Sequence, residues 1–439
     1  MNIRRLLFIT LAVLVVCQLG WAQQASVVKN LALRAEQLGH GLPVQPASAT
    51  PAGFYRPYVW VGGTLVKGMT QNVKPALPAF CNTAHAYGFL YCPNALQVAY
   101  GVPFKNTPAG RLNDGTGLTI VIVDAFHYAN NEADLNQFSS DMGLPPCTKA
   151  SGCFTNVDQN GGQNFCGGNA NWELETMLDL EYAHAMAPGA KLVLVEGCTN
   201  SYGDLFTAVA TGIGMGDILS NSYGSGEFGG ETGFDPILNV NKPILFSSGD
   251  TGTPAQYPCA SPYVTCVGGT SLQVNAAFQR TSETGWSGSG GGCSAFEAKP
   301  AYQSLNGITY CSSERAVPDI GAIAADTSEV AVLDSGNGGY FRVWGTSLAT
   351  PLSAGIFAVD MQAKGGKFLH QIDGDLYVRG CHGTANCIGP GQINPYFFYD
   401  VVAGGDNGTG TLGPGYDMVT GMGVAFGKNM GGLYGIPTP

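Results

Sequence analysis

The chain has 439 residues, 45% of them apolar and only 12% charged, with a formal net charge of −11. So little charge excludes a coiled coil or a charged disordered tail, and an acidic chain without a Lys/Arg cluster argues against nucleic acid as a partner. The 64 glycines follow no repeat, which excludes collagen and points to tight turns and long loops on one or two large-cored domains.

Arg4 and Arg5, the mostly apolar run 6–19 and the small-residue site Gly20-Trp21-Ala22 predict a signal peptide over residues 1–22, cleaved after Ala22. The apolar run is short for a spanning helix, so a secreted protein is expected. Residues 23–88 are rich in Ala, Pro and Gln and read as a short leader, with one helix predicted over 28–38. The texture then changes, and residues 89–439 read as the main domain. Buried-type strands are predicted over 118–124 (LTIVIVD), 191–196 (KLVLVE), 217–222, 243–248 and 263–268. Helices are predicted over 131–141, 172–186, 204–215 and, long and apolar, 347–364. Apolar strands alternating with helices predict an α/β domain: a mostly parallel central sheet flanked by helices.

Of 13 cysteines, Cys17 lies in the signal peptide. The remaining twelve form an even set, which in an exported chain predicts disulfides. Closeness in sequence favours Cys81–Cys92, Cys259–Cys266, Cys293–Cys311 and Cys381–Cys387. Cys147, Cys153, Cys166 and Cys198 allow three pairings, of which Cys147–Cys153 with Cys166–Cys198 is favoured. No two have C-x-x-C spacing, which speaks against zinc.

Gly345-Thr346-Ser347-Leu348-Ala349-Thr350-Pro351 opens the last predicted helix. A serine there is usually an N-cap, but a cap does not account for the whole string. The glycine lets substrate approach the backbone, the helix start offers N–H groups to developing negative charge, and Pro351 is expected in the first turn. The string resembles the nucleophile motif of subtilisin and sedolisin peptidases, with Ser347 as nucleophile.

A serine nucleophile needs a base. The six histidines are His40, His85, His127, His184, His370 and His382, and none stands in the His-Gly-Thr-His string with which subtilisins open their base helix. In that place stands Glu175-Thr-Met-Leu-Asp179-Leu-Glu181, running on to Ala187-Pro188-Gly189-Ala190-Lys191-Leu192. Glu175 and Asp179 are four apart and share a helix face; as like charges they titrate as a unit and give a base usable in acid. Glu173 and Glu181 fall on other faces. Ser248-Gly249-Asp250-Thr251-Gly252 follows a strand, at the end where such sheets build sites. It resembles the sedolisin oxyanion motif, in which a protonated Asp donates where subtilisins use an Asn amide.

The resemblance is thus to the sedolisins, or serine-carboxyl peptidases, and runs from about Tyr91 to the C-terminus. It implies a subtilisin-like three-layer fold, peptidase activity with an acidic optimum, and one Ca²⁺. Carried over by motif, Ser347, Glu175, Asp179 and Asp250 are catalytic. Asp124, at the end of the first strand, is supporting, and Ser222-Tyr223-Gly224 forms the edge that pairs with extended substrate. The strings around Phe397-Phe398-Tyr399-Asp400-Val401 and Gly413-Pro414-Gly415-Tyr416-Asp417 imply a calcium loop. Asp400 and Asp417 would bind by side chain, and Val401, Gly413 and Gly415 by carbonyl. The family's long folded propeptide exceeds what residues 23–88 can form, so a shortened leader is expected. The expected partners are protein or peptide substrates of a monomer, with no membrane once the signal is removed. Two other readings are a non-catalytic secreted binding protein on this scaffold and a neutral Ser-His-Asp hydrolase using Asp124 and His184.

Overall fold

The computed structural model describes residues 56–57, 60–67, 78–85, 88–102, 114–365, 373–383 and 385–427. The signal peptide and the helix expected over 28–38 lie outside these residues.

A ten-stranded sheet forms the middle layer. Its order is β19 (Phe398–Tyr399), β20 (Val424–Ala425), β16 (Ile320–Ile323), β12 (Thr265–Val274), β10 (Ile244–Ser247), β8 (Ile218–Asn221), β5 (Thr119–Ala125), β7 (Lys191–Gly197) and β6 (Phe154–Asp158), with β13 (Arg280–Gly285) beside β12. All pairs from β20 to β6 are parallel. The side-chain period of two then sorts one strand between two cores. Ile120 and Ile122 of β5 enter the core that also holds helices α1 (Asn131–Met142), α2 (Ala170–Met186) and α4 (Thr346–Ala363). Val121 and Val123 enter the core holding α3 (Tyr202–Ile213). This is the expected three-layer α/β arrangement, buried on both sheet faces, and it explains why the strands read as unbroken apolar runs.

Local chemistry sets the helix starts. The Asn169 side chain accepts from the N–H groups of Asn171 and Trp172 at 3.1 and 3.4 Å, so α2 opens at Ala170, two residues before the expected start. Ser201 Oγ accepts from Asp204 N at 3.2 Å, which opens α3 at Tyr202 instead of residue 204. Pro351 needs a correction: α4 starts at Thr346, so Pro351 lies beyond the first turn. Having no N–H, it leaves the carbonyl of Ser347, four residues earlier, without its helical donor. Helices α2 and α4 pack closely at Gly355, where a Cβ would stand 2.6 Å from Met186 Cβ.

Strands the periodicity did not disclose build a second, five-stranded sheet. Its order is β2 (Trp60–Lys67), β18 (Gly339–Trp344), β17 (Ser328–Asp334), β4 (Gly88–Tyr91) and β3 (Thr83–His85). The strand expected over 217–222 breaks at Ser222, because the chain leaves the central sheet there and starts β9 (Tyr223–Gly226) in a small antiparallel sheet. In that sheet β9 lies between β11 (Gln256–Tyr257) and β1 (Arg56–Pro57). Strands β14 (Gly292–Ala298) and β15 (Glu314–Val317) form a separate antiparallel pair. All six expected disulfides are closed, including Cys147–Cys153 and Cys166–Cys198 from the ambiguous four. Among the described residues, no helix is long and apolar enough to cross a membrane.

Candidate active site

Asp124, Ser222 and Asp250 lie at the carboxyl ends of the adjacent strands β5, β8 and β10, where open α/β sheets hold their sites. Helices α2 and α4 bring Glu175, Asp179 and Ser347 to the same end. Gly345, at φ 133°, makes the turn that a side chain would strain, and Ser347 follows as the second residue of α4. Ser347 is fully buried, and its Oγ donates to the carbonyl of Ser222 at 3.1 Å.

Glu175, Asp179 and Asp124 are each 0% exposed. Burial first, then the charges of Asp179 and Asp124, hold the Glu175 carboxyl well above the usual range, while the Ser347 hydroxyl works against them. Asp124 is raised by burial, then by Asp179 and Glu196, with the Thr176 hydroxyl in opposition. Burial also raises Asp179, and the Ser222 hydroxyl lowers it, with Ser222 Oγ 2.8 Å from Asp179 Oδ1. Several buried carboxylates cannot all be charged without a large desolvation cost, so this cluster holds shared protons. Behind it, Glu196 is paired with His127 Nδ1 at 3.0 Å.

Asp250, 8% exposed, turns Oδ1 to Thr346, accepting from its N–H and its hydroxyl at 2.8 Å each. The Thr346 hydroxyl in turn accepts from Gly249 N at 3.2 Å. The oxyanion candidate is thereby fixed to the residue before the nucleophile. Its charge also bears on Glu175.

The four expected catalytic residues are thus brought together, and Asp124 joins them more closely than its supporting role suggested. The Ser-His-Asp alternative does not assemble. His184 Nε2 donates to the Pro145 carbonyl at 2.8 Å beside Cys147 and Cys153, and burial pushes its pKa down to about 4. Glu181 turns its carboxyl to Leu333 N. The hydroxyls of Ser222 and Thr346 were not read as site groups; only their place one residue from a strand end and from the nucleophile could have marked them.

Tyr223 and Gly224 lie in β9, the middle strand of its small sheet: β11 pairs along Ser225 and Gly226, and on the other side Arg56 pairs opposite Gly224 and Pro57 opposite Tyr223. Trp60 of β2 then pairs with Trp344, three residues before Ser347. In the C-terminal loops, Asp400 accepts from Gly415 N at 3.1 Å, which joins the two strings read as a calcium site. Asp417 is buried and its carboxyl is pushed up to about 7, chiefly by burial, although Thr420 and Val419 N–H groups bind it. Carboxyls are the donor type that a hard cation takes, and these two have no Lys or Arg among the described ion pairs.

A family model described as the Subtilase family matches residues 157–372. Kumamolisin from Bacillus sp. (strain MN-32) is 27% identical over 351 residues, covering 72% of this chain and 59% of that protein. Sedolisin from Pseudomonas sp. (strain 101) is 33% identical over 112 residues, 23% of this chain and 18% of its own. The chain thus spans under two thirds of the length of both relatives. A solved structure of Pseudomonas sedolisin, complexed with two molecules of pseudo-iodotyrostatin, superposes with a TM-score of 0.63 at 23% identity. It covers 80% of this chain and 98% of that one, and establishes a shared fold.

Proposed function

We propose that the chain is a sedolisin on the subtilisin fold, a secreted serine-carboxyl peptidase hydrolysing peptide bonds of proteins or peptides in acid. The observation that carries this reading is the buried cluster of Glu175, Asp179, Asp124 and Asp250 around Ser347, with His127 and His184 committed elsewhere.

In this reading Ser347 Oγ swings from the Ser222 carbonyl towards Glu175 and attacks the scissile carbonyl carbon. Its proton passes to Glu175, and the new oxyanion accepts a hydrogen bond from protonated Asp250. Because Thr346 holds Oδ1 of Asp250, the proton is carried on Oδ2. Collapse of the tetrahedral intermediate breaks the C–N bond, and Glu175 returns the proton to the leaving amine. Water then attacks the acyl-enzyme by the reverse path. Asp179 shares a proton with Glu175 and keeps the base from carrying a full isolated charge. Asp250 must be protonated to donate and Glu175 deprotonated to accept, which sets an acidic working range. Extended substrate would pair with Tyr223 and Gly224. Ca²⁺ would be held by Asp400 and Asp417 with the carbonyls of Val401, Gly413 and Gly415, cross-linking the C-terminal loops.

A pH series on a denatured protein substrate tests the reading. Activity should peak well below neutrality, and Ser347→Ala, Glu175→Gln and Asp250→Ala should each abolish it. A neutral optimum, or no cleavage at any pH by a folded protein, would remove the mechanism; the second outcome would favour a binding protein.

A further inference from the structure

The reading above uses the backbone carbonyl of Ser222 as the resting acceptor of Ser347 Oγ and leaves the Ser222 side chain without a task. That side chain is fully buried at the break between β8 and β9. Its Oγ stands 2.8 Å from Asp179 Oδ1 and 3.3 Å from the carbonyl oxygen of Ser347. The second acceptor is open because Pro351 has no N–H to give it. In return, the Ser222 carbonyl accepts from Ser347 Oγ. One residue therefore touches the acid–base pair by its side chain and the nucleophile by its backbone.

The Ser222 hydroxyl has one proton and two acceptors. The carboxylate is the stronger acceptor and the nearer one, so the proton goes to Asp179 when that group is ionised. A donor at Oδ1 disfavours protonation there. Oδ2, which is buried with no described hydrogen-bond partner, is left as the atom that can hold a proton.

We infer that Ser222 is a positioning residue for the acid–base pair: its hydroxyl fixes Oδ1 of Asp179 as an acceptor, so the proton shared with Glu175 rides on Oδ2. The groups facing the pair leave this task to Ser222. Asp124 faces it from β5, with Glu196 behind on β7, and Asp250 faces it from the loop after β10. The Tyr223 phenol lies near from β9. The carboxyls oppose a charged pair. The Ser222 hydroxyl is the group that draws Asp179 down.

The inference rests on the serine-carboxyl reading, and the test separates the two. Rates of Ser222→Ala and Ser222→Thr are measured against pH beside the wild type. The acid limb of kcat reports loss of the first proton from the pair. Without the hydroxyl that loss is harder, so the limb of Ser222→Ala should move up by about one pH unit, with KM little changed. Ser222→Thr, which keeps a hydroxyl, should restore it. In parallel, difference infrared spectroscopy follows the buried carboxyl band in an inactive Ser347→Ala background, where Ser222→Ala should move the titration midpoint the same way. A wild type inactive at every pH would remove the functional reading, and the infrared titration would still decide on Ser222. An unmoved kcat limb with a raised KM, or an unmoved infrared midpoint, overturns the inference.

Discussion

Replacing Glu297 by glutamine should make the protein more stable at neutral pH and leave it unchanged in acid. Glu297, in β14, belongs to a second set of buried carboxyls beyond the end of β9. Glu227 accepts from Ala295 N at 2.9 Å, Glu231 from Phe228 N at 2.6 Å, and Asp235 from Ser261 Oγ at 2.6 Å. The carboxyls of Glu227 and Glu231 are hydrogen-bonded to each other, as are those of Asp235 and Glu297. Burial, then the charge of Asp235, pushes Glu297 up from the ordinary 4.5 to about 8. The fold therefore holds the protonated form: its stabilisation is complete below pH 4.5 and is lost as pH rises through about 8. Between pH 4.5 and 7 the loss is about 3 kcal/mol at 1.36 kcal/mol per unit. Sharing the proton with Asp235 and local relaxation reduce it to about 1.5 kcal/mol, or roughly 2 °C in Tm for a chain of this size. Glutamine donates to Asp235 at every pH. In a Ser347→Ala background, which would remove self-digestion, calorimetry at one scan rate should give Glu297→Gln a Tm about 2 °C above its parent at pH 7 and equal to it at pH 4. Parallel Tm–pH curves for the two proteins would refute the reasoning.

Prolonged chelation should lower Tm and calcium should restore it, because buried Asp417 and half-buried Asp400 would again be carboxylates without a counter-ion; an unchanged Tm counts against the loop assignment. Removing the chain through Pro57 takes β1 off Tyr223 and Gly224 while keeping β2, so KM for an extended peptide should fall, and a peptide of the removed sequence should compete with substrate. An unaltered KM would mean that β1 does not block the edge.

The central sheet was legible because both its faces are buried: unbroken apolar runs such as 118–124 have no other use in a chain of this kind. The disulfides were legible because most join near neighbours in sequence. Strands β17 and β18 were not, since SEVAVLD and GYFRVW carry charges that only tertiary partners satisfy: Glu329 pairs with Arg342 across the hairpin at 3.3 Å. The reach of β1 onto β9 and of β2 onto β18 is a long-range pairing that no local pattern encodes. At the site, the residue types and the spacing of Glu175 and Asp179 pointed to a carboxyl base. The hydroxyls that aim those carboxyls did not stand out, because a serine after a strand and a threonine opening a helix are ordinary residues until their partners are known. The helix boundaries moved for the same reason, as with the Asn169 cap.

The two site carboxyls that hold protons in the proposed mechanism are held in one manner. Asp179 has Oδ1 against the Ser222 hydroxyl, and Asp250 has Oδ1 against the Thr346 hydroxyl and N–H. A carboxylic acid can protonate at either oxygen, and only one choice faces the chemistry. A histidine base avoids this problem, since its tautomer is set by one hydrogen bond to the far nitrogen. A carboxyl base needs a comparable device for each group, and here both hydroxyls come from segments adjoining the nucleophile and the substrate edge. Thr346 precedes Ser347, and Ser222 precedes β9. On the proposed mechanism, movement of Ser347 or of substrate bound at β9 would act directly on which oxygen carries a proton, and a carboxyl base in place of histidine would need these neighbours as well as Glu175 and Asp250.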